Sequence, residues 1–193
     1  MPFTRTIRVD TAASAYDRTT IALHWLTALL VIVLFVLAQV WEAMPHGTPV
    51  RKSLQGLHVS LGLLLTALFV WRVVWRATAG RQLPPASQGA LQVTAKGVHY
   101  ALYLLLAAQI VLGFLFRWAQ GEPFTFFGWF SIPKLLPLTR EQRHFFGDLH
   151  NIVAWVIVVL AGLHALAALW HHYVRRDGVL RRMAGCSRAS RPQ

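Results

Sequence analysis

Charge is the scarce ingredient of this sequence. Only 13% of its 193 residues are Asp, Glu, Lys or Arg, against roughly 25% in an ordinary soluble domain. So thin a supply of charge excludes a chain whose whole surface meets water. Acids are scarcest: seven stand against nineteen Lys and Arg, for a formal net charge of +12. Cysteine is nearly absent too. The single thiol, Cys186, excludes a disulfide framework, a cysteine-ligated iron–sulfur cluster and a thiolate zinc site, and it reads as incidental. Residues 1–20 are polar and include Asp10 and Asp17. The apolar run that follows is too long for a signal-peptide core and lacks a small-residue cleavage site, so it is expected to stay as an anchor. No internal repeat or low-complexity tract is evident.

What fills the space is hydrocarbon: 55% of the residues are hydrophobic. A bilayer core of about 30 Å takes roughly 20 apolar residues as helix. Residues 20–41, 54–76, 94–118 and 148–172 meet that length. Proline and glycine break the chain between them, at Pro45, Gly47 and Pro49, at Pro84 and Pro85, and at Gly121, Pro123, Pro133 and Pro137. The segment FTFFGWF, residues 124–130, is too short to span and is expected at the membrane interface. The expectation is an all-α integral membrane four-helix bundle. Residues 1–19 form an N-terminal segment, 20–172 the transmembrane domain and 173–193 a basic tail.

The basic residues give the orientation. Arg72, Arg76, Arg81 and Lys96 flank the second loop with no acid nearby, and six arginines against Asp177 fill the tail. With the N-terminal segment these regions hold about ten of the twelve net positive charges, which places both termini and the second loop in the cytoplasm. The same rule accounts for the high net charge without nucleic acid, and lipid is the expected partner.

Four of nine histidines lie well inside apolar runs: His24, His58, His150 and His164. Ionisable groups there are costly and mark function by default. His150 and His164 are fourteen residues apart, about 21 Å of helical rise with side chains about 40° apart. One helix thus offers a histidine at two depths. The topology matches His24 in depth to His164, and His58 to His150. Two pairs at two levels suit two b-type haems with bis-histidine axial ligation, His24/His164 and His58/His150. A lone membrane histidine would read as an interhelical hydrogen-bonding group. Zinc needs three or four ligands around one ion, which residues so far apart cannot share. Gly62, Gly147 and Gly162 lie near these histidines and would let a macrocycle or helix approach closely.

Arg72, Lys96, His99 and His171 share the depth of the cytoplasmic pair and are candidates for contacts to haem propionates or a quinone head group; for Arg72 and Lys96, snorkelling at helix ends is the competing explanation. On the other side Arg51, Lys52, Arg117, Lys134, Arg140 and Arg143 offer a positive funnel for a small anion.

Several stretches carry a family resemblance: IALHWL at His24, GLHVSLG at His58, FVWRVVWR, KGVHYALYLLL at His99, FGDLHNIVAWVIVVLAGLHALAALWHHY across His150 and His164, and DGVLRRM. Over roughly residues 17–183 the sequence resembles the bacterial cytochrome b561 family, the di-haem membrane cytochromes that include superoxide oxidase. The resemblance implies that the four histidines are the haem-iron ligands. It also implies an inner-membrane oxidoreductase that passes electrons from periplasmic superoxide through two b haems to ubiquinone. Relatives of this fold serve other redox partners, so an electron-transfer subunit between the quinone pool and a periplasmic protein is the alternative. A channel or transporter using the histidines for protons is a third reading.

Overall fold

The computed structural model describes residues 15–85 and 88–185; residues 1–14, 86–87 and 186–193, and with them Cys186, lie outside it. Four helices are long and apolar enough to cross a membrane. Helix α1 spans Arg18–Glu42, α2 Pro49–Thr78, α3 Ala90–Ala119 and α4 Arg140–Trp170. A turn of π-helix, His171–Arg175, follows α4 and leads to a short α5, Val179–Ala184.

These helices extend past the apolar runs because their polar ends are capped. Helix α2 starts at Pro49, whose ring suits the first turn, with Thr48 accepting from the Arg51 amide. Helix α4 starts eight residues before its apolar run, where Thr139 and Gln142 form a reciprocal capping box. Capping satisfies amide groups that the first turn leaves open, so the helix begins at the cap rather than at the membrane.

Segment 124–130 is part of a hairpin. Strand β1, Phe124–Phe126, pairs antiparallel with β2, Phe130–Ile132. Its turn places Phe127 and Gly128 at φ 47° and 81°, and Gly128 takes that backbone without strain. The hairpin is tied to α2 by Ser60, which is 2% exposed. The Ser60 hydroxyl accepts from the Phe127 amide at 3.0 Å and lies 3.1 Å from the Thr125 carbonyl. Phe124 fills the other side against Phe114 and Trp118 of α3. The hairpin therefore bridges α2 and α3, which touch each other little directly.

Helix α1 packs along α2, and α3 along α4, while contact between the two pairs is sparse. A central plug of Leu34, Leu65 and Leu106 joins three helices, flanked by Leu30, Val31, Leu61, Phe69 and Ile110. Large apolar side chains such as Leu29, Ile32, Val70, Leu104, Val159 and Leu166 point outward. So broad an apolar surface is at home in lipid.

Polar clamps close the two ends. On the hairpin side the buried Arg51 guanidinium binds the carbonyls of Trp41 and Met44 and the Glu42 carboxylate. It thereby satisfies carbonyls left open where α1 ends. On the opposite side, the tail side, Asp17 caps α1 through the Thr20 amide at 2.8 Å and hydroxyl at 2.7 Å. Asp17 also accepts from the Trp75 indole and the Arg81 amide. Helix α5 folds back there: Trp25 donates to the Met183 carbonyl and Arg182 to that of Pro84.

Burial works to raise the Asp17 pKa, but the bonds from Thr20, Arg81 and Trp75 outweigh it and hold the carboxyl well below the usual carboxylate range. A carboxyl depressed in the folded state stabilises above its unfolded pKa of about 3.9 and loses that contribution as pH falls below it. Replacing this cap, Asp17→Ala, should cost about 1–2 kcal/mol in thermal unfolding of the detergent-solubilised protein near neutral pH. The gap to wild type should close as the medium is acidified below about pH 4. A gap that stays constant would place the effect outside the carboxylate.

Candidate functional site

The four membrane histidines meet in two opposed pairs. His24 on α1 faces His164 on α4 with ring centres 6.5 Å apart and planes at 73°. His58 on α2 faces His150 on α4 at 6.4 Å and 72°. Helix α4 thus supplies one histidine to each level, about 21 Å apart along its axis. The first pair lies on the tail side, the second on the hairpin side, and the leucine plug lies between.

The spacing within each pair has a chemical meaning. The rings are too far apart to bond to each other. Two imidazoles sharing one metal ion, each at about 2.0–2.1 Å, would have ring centres roughly 6–6.5 Å apart. No group of three or more His, Cys, Asp or Glu that could hold a metal ion occurs among the described residues. Each pair offers two opposed imidazole nitrogens and no further ligands, a donor set that fits a metal whose other positions a macrocycle would fill. The contact between the α1–α2 and α3–α4 pairs is sparse, which is compatible with a flat group between them. A Cβ on Gly62 or Gly162 would meet nothing within 4 Å, so no neighbouring side chain packs against either glycine. Gly147 serves close packing instead, since a Cβ there would lie 2.9 Å from the Phe116 ring.

The shell around each histidine sets its chemistry. His58 Nδ1 lies 3.1 Å from the Leu34 carbonyl. A carbonyl only accepts, so Nδ1 carries the proton and Nε2 keeps the lone pair a metal needs. His150 Nε2 lies 3.1 Å from the Gln109 amide nitrogen. On the tail side Arg72 donates to His24 Nδ1 at 3.1 Å and to the Tyr103 hydroxyl at 3.0 Å, with its guanidinium over the Tyr103 ring. Arg72 has no carboxylate partner among the described residues. A half-buried guanidinium that always keeps its charge attracts an anionic or carbonyl oxygen.

The other anticipated residues divide. His99 joins the tail-side group, its ring 5.2 Å from that of His164. Lys96, one turn earlier, is exposed. His171 begins the π-helical turn and binds Asp177 through Nδ1. Burial favours the neutral form of Asp177, but the His171 bond and the Val179 amide outweigh it and lower its pKa. On the hairpin side the anticipated cationic funnel is thinned. Arg51 is 7% exposed in its clamp, and Arg117 binds Glu122 and the Pro123 carbonyl. Lys52, Lys134 and Arg143 remain exposed; the side chain of Arg140 lies outside the description.

Two site neighbours, Tyr103 and Gln109, were not anticipated from the sequence. Tyr103 lies one turn beyond His99 and seven residues beyond Lys96, on the same helical face. Gln109 is the one amide in the run ALYLLLAAQIVLGFLF. Both signals were present, a face and an outlier.

Comparison with known proteins agrees with this arrangement. The profile of the prokaryotic cytochrome b561 family matches residues 15–185. The chain is 37% identical to cytochrome b561 homolog 2 of Escherichia coli (strain K12) over 167 residues, 86% of this chain and 89% of that protein. It is 27% identical to the probable superoxide oxidase CybB of Yersinia pestis, over 87% of this chain and 94% of the relative. Cytochrome b562 of Cereibacter sphaeroides is 28% identical over 90% and 97%. A multi-pass helical protein with opposed intramembrane histidines, matched over nearly its whole length, the chain belongs to the prokaryotic cytochrome b561 family, whose members bind b-type haem and transfer electrons.

Proposed function

We propose that the protein is an inner-membrane superoxide oxidase, taking electrons from superoxide on the hairpin side and delivering them to ubiquinone on the tail side. The observation that carries this reading is the pair of opposed histidine sites at two levels of one bundle. The similarity to a probable superoxide oxidase supports it. The overall reaction is two superoxide, one quinone and two protons to two dioxygen and one quinol. Bound b haem supplies reversible one-electron transfer at each level.

The chain's own residues do the rest. His58 and His150 would hold one haem and His24 and His164 the other. A haem held by two histidines would supply outer-sphere one-electron transfer rather than oxygen binding at the metal. On the hairpin side Lys52, Lys134 and Arg143 attract the anion. On the tail side Arg72, Tyr103 and His99 offer charged and hydroxyl groups for haem propionates or a quinone carbonyl. The leucine plug keeps water out between the levels. Under this orientation residues 1–19 and 173–193 flank the 20–172 domain on the cytoplasmic side, where most of the net charge lies.

One observation favours the alternative, an electron-transfer subunit linking the quinone pool to a periplasmic redox protein. Arg51 and Arg117, two of the six hairpin-side cations, are already engaged in structural contacts. Mixing the oxidised protein with superoxide in a stopped-flow spectrometer, with catalase present and quinone absent, separates the two. Rapid growth of reduced b-haem bands is expected. Two intact haems that stay oxidised would favour the subunit.

The ligand assignment has its own test. His58→Ala and His150→Ala should each remove the same haem and leave the second spectroscopically intact, halving haem per protein; loss of both haems from either variant, or of different ones, would break the pairing. For the quinone end, His99→Ala and Tyr103→Phe should slow quinol formation about tenfold, the effect of losing a polar contact of about 1.4 kcal/mol, with haem content kept. Lys96→Ala should change it less. Wild-type quinone kinetics in His99→Ala and Tyr103→Phe would move the quinone elsewhere.

A further inference from the structure

Buried polar atoms without partners are rare, because each gives up hydration and receives nothing in return. Among the described residues three side-chain atoms are in that state: Gln109 Oε1, His150 Nδ1 and Trp118 Nε1. The first two belong to one contact, in which Gln109 Nε2 lies 3.1 Å from His150 Nε2. An amide nitrogen can only donate, so His150 Nε2 accepts. The contact therefore puts the His150 proton on Nδ1 and the lone pair on Nε2.

The opposing histidine reaches the same state by another route. The Leu34 carbonyl holds the proton of His58 on Nδ1. Main chain from α1 sets one member of the pair, and a side chain from α3 sets the other. Gly113, one turn beyond Gln109, borders the His150 ring as well: a Cβ there would stand 3.2 Å from Cε1. The ring is thus bounded by an amide and by a bare stretch of helix. The tail-side pair lacks this arrangement, because Arg72 donates to Nδ1 of His24.

We propose that Gln109 is the positioning residue for His150. Its amide selects the tautomer with the lone pair on Nε2 and holds the ring opposite His58; with Nε2 given to the iron, the unpartnered amide oxygen takes the equally unpartnered Nδ1 proton. The inference rests on His58 and His150 sharing one haem. It assigns a role to the only amide side chain in the apolar run of α3.

Gln109→Met tests it, since methionine keeps the length and unbranched shape but has no amide to donate or accept. Gln109→Asn is the second variant, its amide one carbon too short to reach. Full-length wild-type and variant proteins are compared for haem per protein under limiting haem and for the low-spin ferric signals in electron paramagnetic resonance. Wild type should give two low-spin signals. Both variants should keep the His24–His164 signal unchanged, while the other broadens or splits and its site fills roughly two- to tenfold less well, as expected for one lost hydrogen bond. Unchanged signals and occupancy would overturn the proposal. So would better filling, which would make the amide a competitor for the nitrogen, or equal shifts of both signals, which would make Gln109 a packing residue. A wild type with one haem or none would instead strike at the haem assignment itself.

Discussion

Inside a membrane a polar group has no water to turn to, and the whole structure follows from that constraint. The four long helices meet it by bonding every main-chain group within themselves. Where helices end, the constraint reappears as open amides and carbonyls, and the chain answers each with a specific side chain. Asp17 and Thr139 cap the starts of α1 and α4, and Arg51 gathers the loose carbonyls at the end of α1. Ser60 performs the same service for the hairpin, the one piece of non-helical regular structure among the described residues. Against that background, four imidazoles in apolar runs stand out as groups kept at a cost.

The same constraint separates structural charge from functional charge. Arg51 and Arg117 have partners that account for them. Among the described residues Arg72 binds only a tyrosine hydroxyl and a histidine nitrogen, neither of which neutralises it. A cation of this kind reserves part of its hydrogen-bonding capacity for something that carries an acceptor oxygen. The two levels are accordingly unlike: one is bordered by a guanidinium and the other by a neutral amide. Under the proposed function an electron moving between them would pass between different electrostatic surroundings, which would set a direction more readily than two equal sites could.

Much of this was legible beforehand. Four apolar runs of spanning length forced four helices, and the fourteen-residue interval between His150 and His164 forced two depths on one face. The pairing by depth needed only the alternation of helix direction. Other features were hidden for physical reasons. A seven-residue aromatic segment has no period that separates strand from interfacial loop, and its tie to α2 rests on the hydroxyl of Ser60, 65 to 67 residues away in sequence. Arg51 looked like a surface cation because nothing in its neighbours announces that the end of α1 will curl around it. The eight extra residues of α4 came from a capping box outside the apolar run. Tyr103 and Gln109 are ordinary residues whose meaning comes from what stands opposite, and sequence spacing along one helix does not show the facing helix.

Helix α4 takes part in both pairs, while α1 and α2 each contribute to one. The two levels therefore share a single shaft. During synthesis the first two helices emerge carrying half of each site, and the third adds the flanking groups. A nascent chain that has not reached residue 150 has neither site, and by residue 164 it has both. Helix α4 completes both pairs almost together, so under the proposed haem assignment insertion of the prosthetic groups would follow the synthesis of α4 rather than accompany that of α1 to α3.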